Sequence, residues 1–239
     1  MGERAIDNTS FFARMAQRVI HLLSLQTANG RLYETDMRLR PDGNAGMLVS
    51  NIHAYDQYQH DKAWTWEHQA LIRARILCSS EHLKKEFDRI RRSILTRKRD
   101  LATLATEVVE MREKMRDALG ASHTAGKFHI KQDAGGLVDI EFIAQYGVLS
   151  CASKYQQFTK YTATRKILLQ LVECSLLNKE QAQWLFDAYR DYRTCSHQRA
   201  LQQLSSLVES SEIESLRNKV NEVWQHIFEK SADIDNPPN

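Results

Sequence analysis

"LYETDMRLRPDGNAG", residues 32–46, is the stretch on which the interpretation of this 239-residue sequence depends. Acidic and basic side chains alternate with mostly uncharged ones, and the charged series ends with Asp36, Arg38 and Arg40. Because successive side chains of a β-strand point to opposite faces, we predict a strand over residues 32–39. One face of that strand carries a carboxylate followed by two guanidiniums.

The flanking sequence predicts a hairpin set among helices. A Pro-Asp-Gly-Asn turn at 41–44 follows the strand, and residues 45–50 are predicted to pair back as a second strand. Apolar residues at helical spacing come before the hairpin and, in several long segments, after it. The predicted fold class is therefore α+β and predominantly helical. Since a lone two-stranded hairpin is marginal in water, we expect it to belong to a larger sheet.

Composition narrows the class of protein. Hydrophobic residues make up 42% of the sequence, the formal net charge is +3, and the mean hydropathy is −0.51. No apolar run approaches the ~18 residues that span a bilayer, so no membrane segment is predicted. The small net charge argues against a nucleic-acid partner. The four cysteines are scattered without a C-x-x-C pair, which predicts a reducing, cytoplasmic location and neither a zinc site nor a disulfide framework.

One basic cluster stands out, "RIRRSILTRKR" at Arg89–Arg99. Runs of like charge are commonly solvated faces of helices or loops. We predict that role for this cluster.

The strand residues Asp36, Arg38 and Arg40 allow two interpretations. They could form an exposed salt-bridged face, which is common and contributes little stability. Alternatively, they could belong to a phosphoryl or nucleotidyl transfer site, where a carboxylate holds a divalent metal and arginines bind phosphates by paired hydrogen bonds. Two-metal sites need several carboxylates close together, so Asp36 alone cannot make one.

Three sequence blocks separate these interpretations. The first is D-x-R-L-R-P-x-G at 36–43, and the second is W-x-W-E-x-Q-A-L-x-R-A-R at 64–75. The third is K-x-x-x-G-G-x-x-D-I-E-F-x-x-Q at 131–145. Together and in this order they resemble the bacterial glutamine synthetase adenylyltransferase family. The sequence at residues 32–40 and 65–75 is similar to the adenylylating C-terminal half of that family.

The resemblance implies a nucleotidyltransferase that moves AMP from ATP to a tyrosine of glutamine synthetase, with Mg2+ as cofactor. Asp36 matches the third metal-binding carboxylate of the family, and Arg38 and Arg40 match its adjacent phosphate-binding arginines. Lys131 matches a family lysine expected to contact phosphate or a partner. The resemblance also implies regulation of the whole enzyme by the PII protein and by glutamine.

The family's first two carboxylates, an Asp-x-Asp pair after a Gly-Ser motif, are expected just before the first helix. This sequence begins there with Met1-Gly2-Glu3-Arg4, so we expect the pair to be absent and the isolated chain to be inactive. Two substitutes are conceivable. Asp233 and Asp235 lie in a polar tail before two prolines, which disfavours a strand, and Asp139 and Glu141 fall in a pattern that favours a helix.

Three acidic residues are possible supports of the site. Glu67 is expected to bridge to a neighbouring arginine of its own helix, a structural rather than catalytic role. Asp139 and Glu141 are expected either to form a polar network against Lys131 or to wall the active site.

The predicted organisation has two parts. Residues 1–119 are expected to form the C-terminal portion of a nucleotidyltransferase domain with long helices, and residues 120–239 a helical C-terminal domain. The alternative function is a non-catalytic docking or regulatory module that binds glutamine synthetase or PII.

Overall fold

The structure is a computed structural model, and it describes residues 6–28, 30–31, 33–119 and 126–233. The predicted α+β, predominantly helical class is confirmed: long helices dominate, and the strands form two small antiparallel pairs. No helix in the described ranges is both long enough and apolar enough to span a bilayer.

Helix α1, Asn8–Ser24, forms where apolar residues at helical spacing precede the predicted hairpin. The carboxylate of Asp7 accepts the N–H of Ser10 at 3.0 Å and caps the first turn. None of the side chains of α1 is buried, and its apolar stripe, which includes Phe12, Met15 and Val19, is exposed. The stripe therefore faces solvent in the described structure, where the ring of Phe12 contacts that of Phe11 edge to face with their centroids 5.2 Å apart.

The predicted strand over 32–39 is wrong for the residues that the structure describes, and so is its partner at 45–50. Residues 33–38 form no regular element, and residues 43–45 form a short 3-10 helix. Side chains of this segment bond to its own backbone, which satisfies groups that a ladder would otherwise use. The hairpin that does form is shorter and earlier, β1 (Gln26–Thr27) with β2 (Gly30–Arg31).

Four helices follow the loop. They are α2 (Ile52–Asp61), α3 (Thr65–Arg73), α4 (Glu81–Leu95) and α5 (Leu101–Leu119). Leu71, Ile90 and Ile94 form a small core between α3 and α4, against which Tyr55 and Phe87 pack.

The rest of the chain is helical apart from one strand pair. The elements are β3 (Lys127–His129), α6 (Leu137–Cys151), α7 (Thr164–Gln170), α8 (Lys179–Leu201), β4 (Leu207–Glu209) and α9 (Ser210–Asp233), with a 3-10 helix at Gln156–Lys160. Strands β3 and β4 pair antiparallel, with Phe128 opposite Val208. This pair joins segments far apart in the sequence and is not predicted from it.

Helix α6 lies at the centre of the main core. It is apolar on nearly all sides, as expected of a buried helix, and it contacts α3, α5, α7, α8 and α9. Ile72 of α3 and Leu95 of α4 belong to the same core as Ile140 and Ile143. Helices on both sides of residue 119 thus share apolar contacts, and the domain boundary there stays a prediction.

Candidate functional site

The loop at residues 33–46 presents a carboxylate and a guanidinium to solvent. Nη2 of Arg38 lies 2.6 Å from Oδ2 of Asp36, and Nε of Arg38 lies 3.0 Å from both carboxylate oxygens. The backbone N–H of Arg38 donates to Oδ1 at 2.9 Å. These hydrogen bonds lower the pKa of Asp36 to about 2. The side chain of Asp36 is 51% exposed and that of Arg38 is 75% exposed, so both are accessible to solvent.

Arg40 has a different role from Arg38. Its guanidinium donates to the main-chain carbonyl of Met37 and lies 3.4 Å from the carbonyls of Gly46 and Asn44. The loop closes so tightly that a Cβ at Gly46 would lie 1.9 Å from the carbonyl oxygen of Pro41. Arg40 therefore holds the shape of the loop that carries Asp36 and Arg38.

Two cavities flank this loop. A narrow one of about 100 Å³ separates Arg40 and Pro41 from helices α2 and α3, and Glu67 lines it. A larger one of about 420 Å³ lies between Pro41, Thr9 of α1 and Tyr58 of α2. The loop thus borders both α1 and the α2–α3 pair.

Glu67 is buried and caps its own helix. It accepts the hydroxyl of Tyr58 at 2.9 Å and the backbone N–H of Trp64 at 2.9 Å. The predicted bridge from Glu67 to an arginine is wrong, because the described contacts of Glu67 are to a hydroxyl and a main-chain amide. Its role in these contacts is structural: it accepts the N–H of Trp64, the residue that caps the start of α3, and ties α2 to α3.

Asp139 forms a fully buried ion pair with Arg112 of α5. Nε of Arg112 lies 2.5 Å from Oδ1 of Asp139, and the side chains are 0% and 1% exposed. Asp139 also accepts the N–H of Gly135 at 2.6 Å, while Nη2 of Arg112 donates to the carbonyl of Gln132 at 2.6 Å. The pair therefore fixes the 130–136 loop onto α5 and α6.

Glu141 pairs with a different arginine. Nη1 of Arg73 lies 2.6 Å from its Oε1, and the hydroxyl of Tyr189 lies 3.5 Å from the same oxygen. The two acids of the Asp-x-Glu motif thus bind separate arginines on separate helices. In these contacts they do not form a carboxylate pair.

Lys131 is exposed, and its side chain makes no hydrogen bond or ion pair to any residue that the structure describes. The buried network next to it is built on Arg112, so Asp139 and Glu141 do not form the first of the two expected arrangements, a network against Lys131, and the second, a wall of the active site, stays a prediction. Of the tail carboxylates, Asp235 lies outside the described residues, and Asp233 ends α9.

Arg112 is the structural residue that sequence reasoning missed. A signal was present: Leu104, Val108 and Arg112 are spaced by four residues, so Arg112 lies on the buried stripe of α5. A charge on such a stripe predicts a buried partner.

Within the described ranges, no group of three or more His, Cys, Asp or Glu side chains is placed to hold a metal ion. Asp36 is a single carboxylate, and both of its oxygens accept hydrogen bonds from Arg38. Two-metal sites for nucleotidyl transfer need several carboxylates close together. The residues present therefore do not by themselves fit a magnesium site.

Two family models match the chain in succession. Residues 1–90 match the glutamate-ammonia ligase adenylyltransferase model, and residues 105–225 match the GlnD PII-uridylyltransferase model.

Three curated relatives bear the name bifunctional glutamine synthetase adenylyltransferase/adenylyl-removing enzyme. The protein of Pseudomonas syringae pv. tomato is 44% identical over 234 residues, which is 93% of this chain. That of Hahella chejuensis is 44% identical over 231 residues, 95% of the chain, and that of Thioalkalivibrio sulfidiphilus is 43% identical over 229 residues, 96% of the chain. The chain spans 24% of the length of each relative. The matches run through the Asp36 loop and the helices that support it, and over this length the chain is similar to the glutamine synthetase adenylyltransferase family.

Proposed function

We propose that this chain supplies one part of a site that transfers AMP from ATP to a tyrosine hydroxyl of glutamine synthetase, releasing pyrophosphate, and that it corresponds to the adenylylating C-terminal half. The carrying observation is the 33–46 loop, on which Asp36 and Arg38 are adjacent and exposed while Arg40 and Gly46 fix the backbone. The name of the relatives, bifunctional glutamine synthetase adenylyltransferase/adenylyl-removing enzyme, supports the proposed transfer reaction.

The residues of the loop take distinct roles in the proposal. Asp36 is the metal-facing carboxylate, and Arg38, now paired with it, is the guanidinium that turns toward phosphate. Arg40 positions the loop, because its donors are already committed to main-chain carbonyls. Lys131, exposed and without a side-chain contact in the described structure, is a candidate for phosphate or partner contact.

Magnesium supplies charge neutralisation at the transferred phosphate when it is bound in such enzymes. Asp36 is one carboxylate, and the described residues bring no further ones to it. We therefore propose that this chain alone transfers little or no AMP.

The alternative proposal is a docking or regulatory module that binds glutamine synthetase or PII, with glutamine as an effector of the full enzyme. Two observations favour it. Asp36 is already neutralised by Arg38, and the apolar stripe of α1 is exposed.

Calorimetric titration with Mg-ATP separates the two proposals. A residual nucleotide site predicts magnesium-dependent binding that Asp36→Asn weakens. Glu34→Gln is the matched control, because it removes the same charge from an exposed position of the same loop. Absence of magnesium-dependent binding, or equal loss in both variants, would support the docking module and contradict a nucleotide site at Asp36.

A further inference from the structure

The basic run Arg89–Arg99 does not behave as one solvated face. Arg89 forms ion pairs with Asp56 at 2.7 Å and Glu86 at 3.1 Å. Arg99 is partly buried and donates to the carbonyl of Ile94 at 2.9 Å. Arg97 donates to the carbonyl of His60 at 3.2 Å, and Lys98 is exposed. Of the six cations in the run, the two adjacent arginines, 91 and 92, remain to be explained.

Arg91 is a buried cation bound only by main-chain oxygen. It is 9% exposed and donates to the carbonyls of Leu71 at 3.0 Å, Ile72 at 2.6 Å and Thr159 at 2.5 Å. Two of these carbonyls belong to the last turn of α3, whose dipole favours a cation. Within the described residues Arg91 forms no ion pair with a carboxylate, and its charge is opposed by these carbonyl dipoles and, at longer range, by Asp88.

Arg91 borders a cleft of about 510 Å³ between α4 and the 3-10 helix at Gln156–Lys160. Arg92 and Lys160 line the same cleft from its two sides, and Asp88 is the one carboxylate among the lining residues. Neither Arg92 nor Lys160 forms an ion pair in the part of the chain that the structure describes. The side-chain amides of Gln156 and Gln157 add neutral hydrogen-bond donors to the wall.

We infer that this cleft binds a small phosphate-type anion, either an inorganic phosphate or a phosphate ester. Three cations against one carboxylate give the cleft a positive potential, and low-dielectric walls focus that potential. Arginine and lysine together provide the fork and point-charge donors that phosphate oxygens accept. The site shares no lining residue with the two cavities beside the 33–46 loop, so it is independent of the proposed transfer function.

The test is titration of the full chain with pyrophosphate, orthophosphate and ribose 5-phosphate at fixed ionic strength. We expect saturable binding with one site per chain, weakened about tenfold by Arg92→Gln and by Lys160→Gln, since each removes a charge-assisted hydrogen bond. The ligand that binds most tightly identifies the source of the phosphate, free or esterified. Asp88→Asn is expected to tighten binding, because it removes the opposing charge.

The matched control is Lys98→Gln, which removes one charge from an exposed position of the same basic run outside the cleft. Circular dichroism of each variant checks that the fold is retained. Two results would overturn the inference: no saturable binding of any of the three ligands, or a loss in Lys98→Gln equal to that in Arg92→Gln.

Discussion

Asp36 and Asp139 each pair with an arginine, yet their surroundings give the two pairs different consequences. Asp36 and Arg38 are more than half exposed, where solvent screens the pair and either partner can exchange it for another ligand. Asp139 and Arg112 are excluded from water, where removing one partner leaves an uncompensated charge in the core. The first arrangement suits a site, and the second suits a structural joint.

Replacing Arg112 by Met is expected to destabilise the chain strongly. It removes the cation hydrogen-bonded to the buried Asp139 carboxylate and leaves the more distant, partly exposed Arg116, whose Nη2 lies 3.9 Å from Oδ1, so the loss should approach the ~3–5 kcal/mol that breaking a buried pair costs. Urea unfolding at neutral pH measures the change in the free energy of unfolding. Lys114→Met, on the exposed side of the same helix, is the control and should stay within about 0.5 kcal/mol of the parent chain. Equal effects of the two substitutions would show that the Arg112–Asp139 contact is not a joint.

The carboxyl of Asp36 is expected to titrate with a pKa of about 2, lowered by its hydrogen bonds with Arg38. In Arg38→Gln the pKa should rise toward its ordinary value of 3.8. Because the folded-state pKa is the lower one, the pairing favours the folded chain above about pH 4 and stops doing so as the pH falls toward 2. NMR titration of the carboxyl carbon measures both values. An unshifted pKa in the parent chain would mean that the pair does not form in solution.

Helix α1 and the loop after it show which elements a sequence can specify. The helices were predictable because their apolar stripes repeat at 3.6 residues and their caps are local, as at Asp7. The alternation at 33–40 has a different origin. The side chains of Asp36 and Arg40 bond to main-chain groups of the loop itself. The sequence therefore alternates as a strand would, although the segment pairs with no other strand in the described structure. The β3–β4 pair joins residues 127–129 to residues 207–209. Local sequence patterns do not predict a pairing between segments so far apart in the sequence.

The apolar stripe of α1 is expected to bind a hydrophobic dye. Phe12 is 44% exposed and α1 has no buried residue, so Phe12→Glu should lower 8-anilinonaphthalene-1-sulfonate fluorescence. The free energy of unfolding should change by no more than about 0.5 kcal/mol, since no core contact is lost. Gln17→Glu, an exposed polar position of the same helix, is the control with the same added charge. A large loss of stability in Phe12→Glu alone would mean that the stripe is packed in solution.

The described part of the chain combines a helical body built on one shared core with an edge that borders cavities and solvent. Helices α3 to α9 share a continuous core around α6, whereas α1 and the Asp36 loop border cavities and solvent. The roles of residues at that edge were only partly predictable: Asp36 and Arg38 are adjacent as a site requires, but Arg40, Glu67 and Asp139 serve the fold. Arg40 bonds to the backbone of its own loop, Glu67 to Tyr58 and to the amide that begins its own helix, and Asp139 to Arg112 of another helix. Side-chain spacing alone does not reveal these partners.

Transfer of labelled AMP from ATP to glutamine synthetase by this chain, with and without magnesium, tests whether Asp36 needs carboxylates beyond those described. The proposed function predicts incorporation at the background level, because one carboxylate paired with Arg38 does not complete a two-metal site. Glutamine synthetase incubated without the chain sets that background. Robust magnesium-dependent transfer that Asp36→Ala abolishes and Glu34→Gln preserves would contradict it.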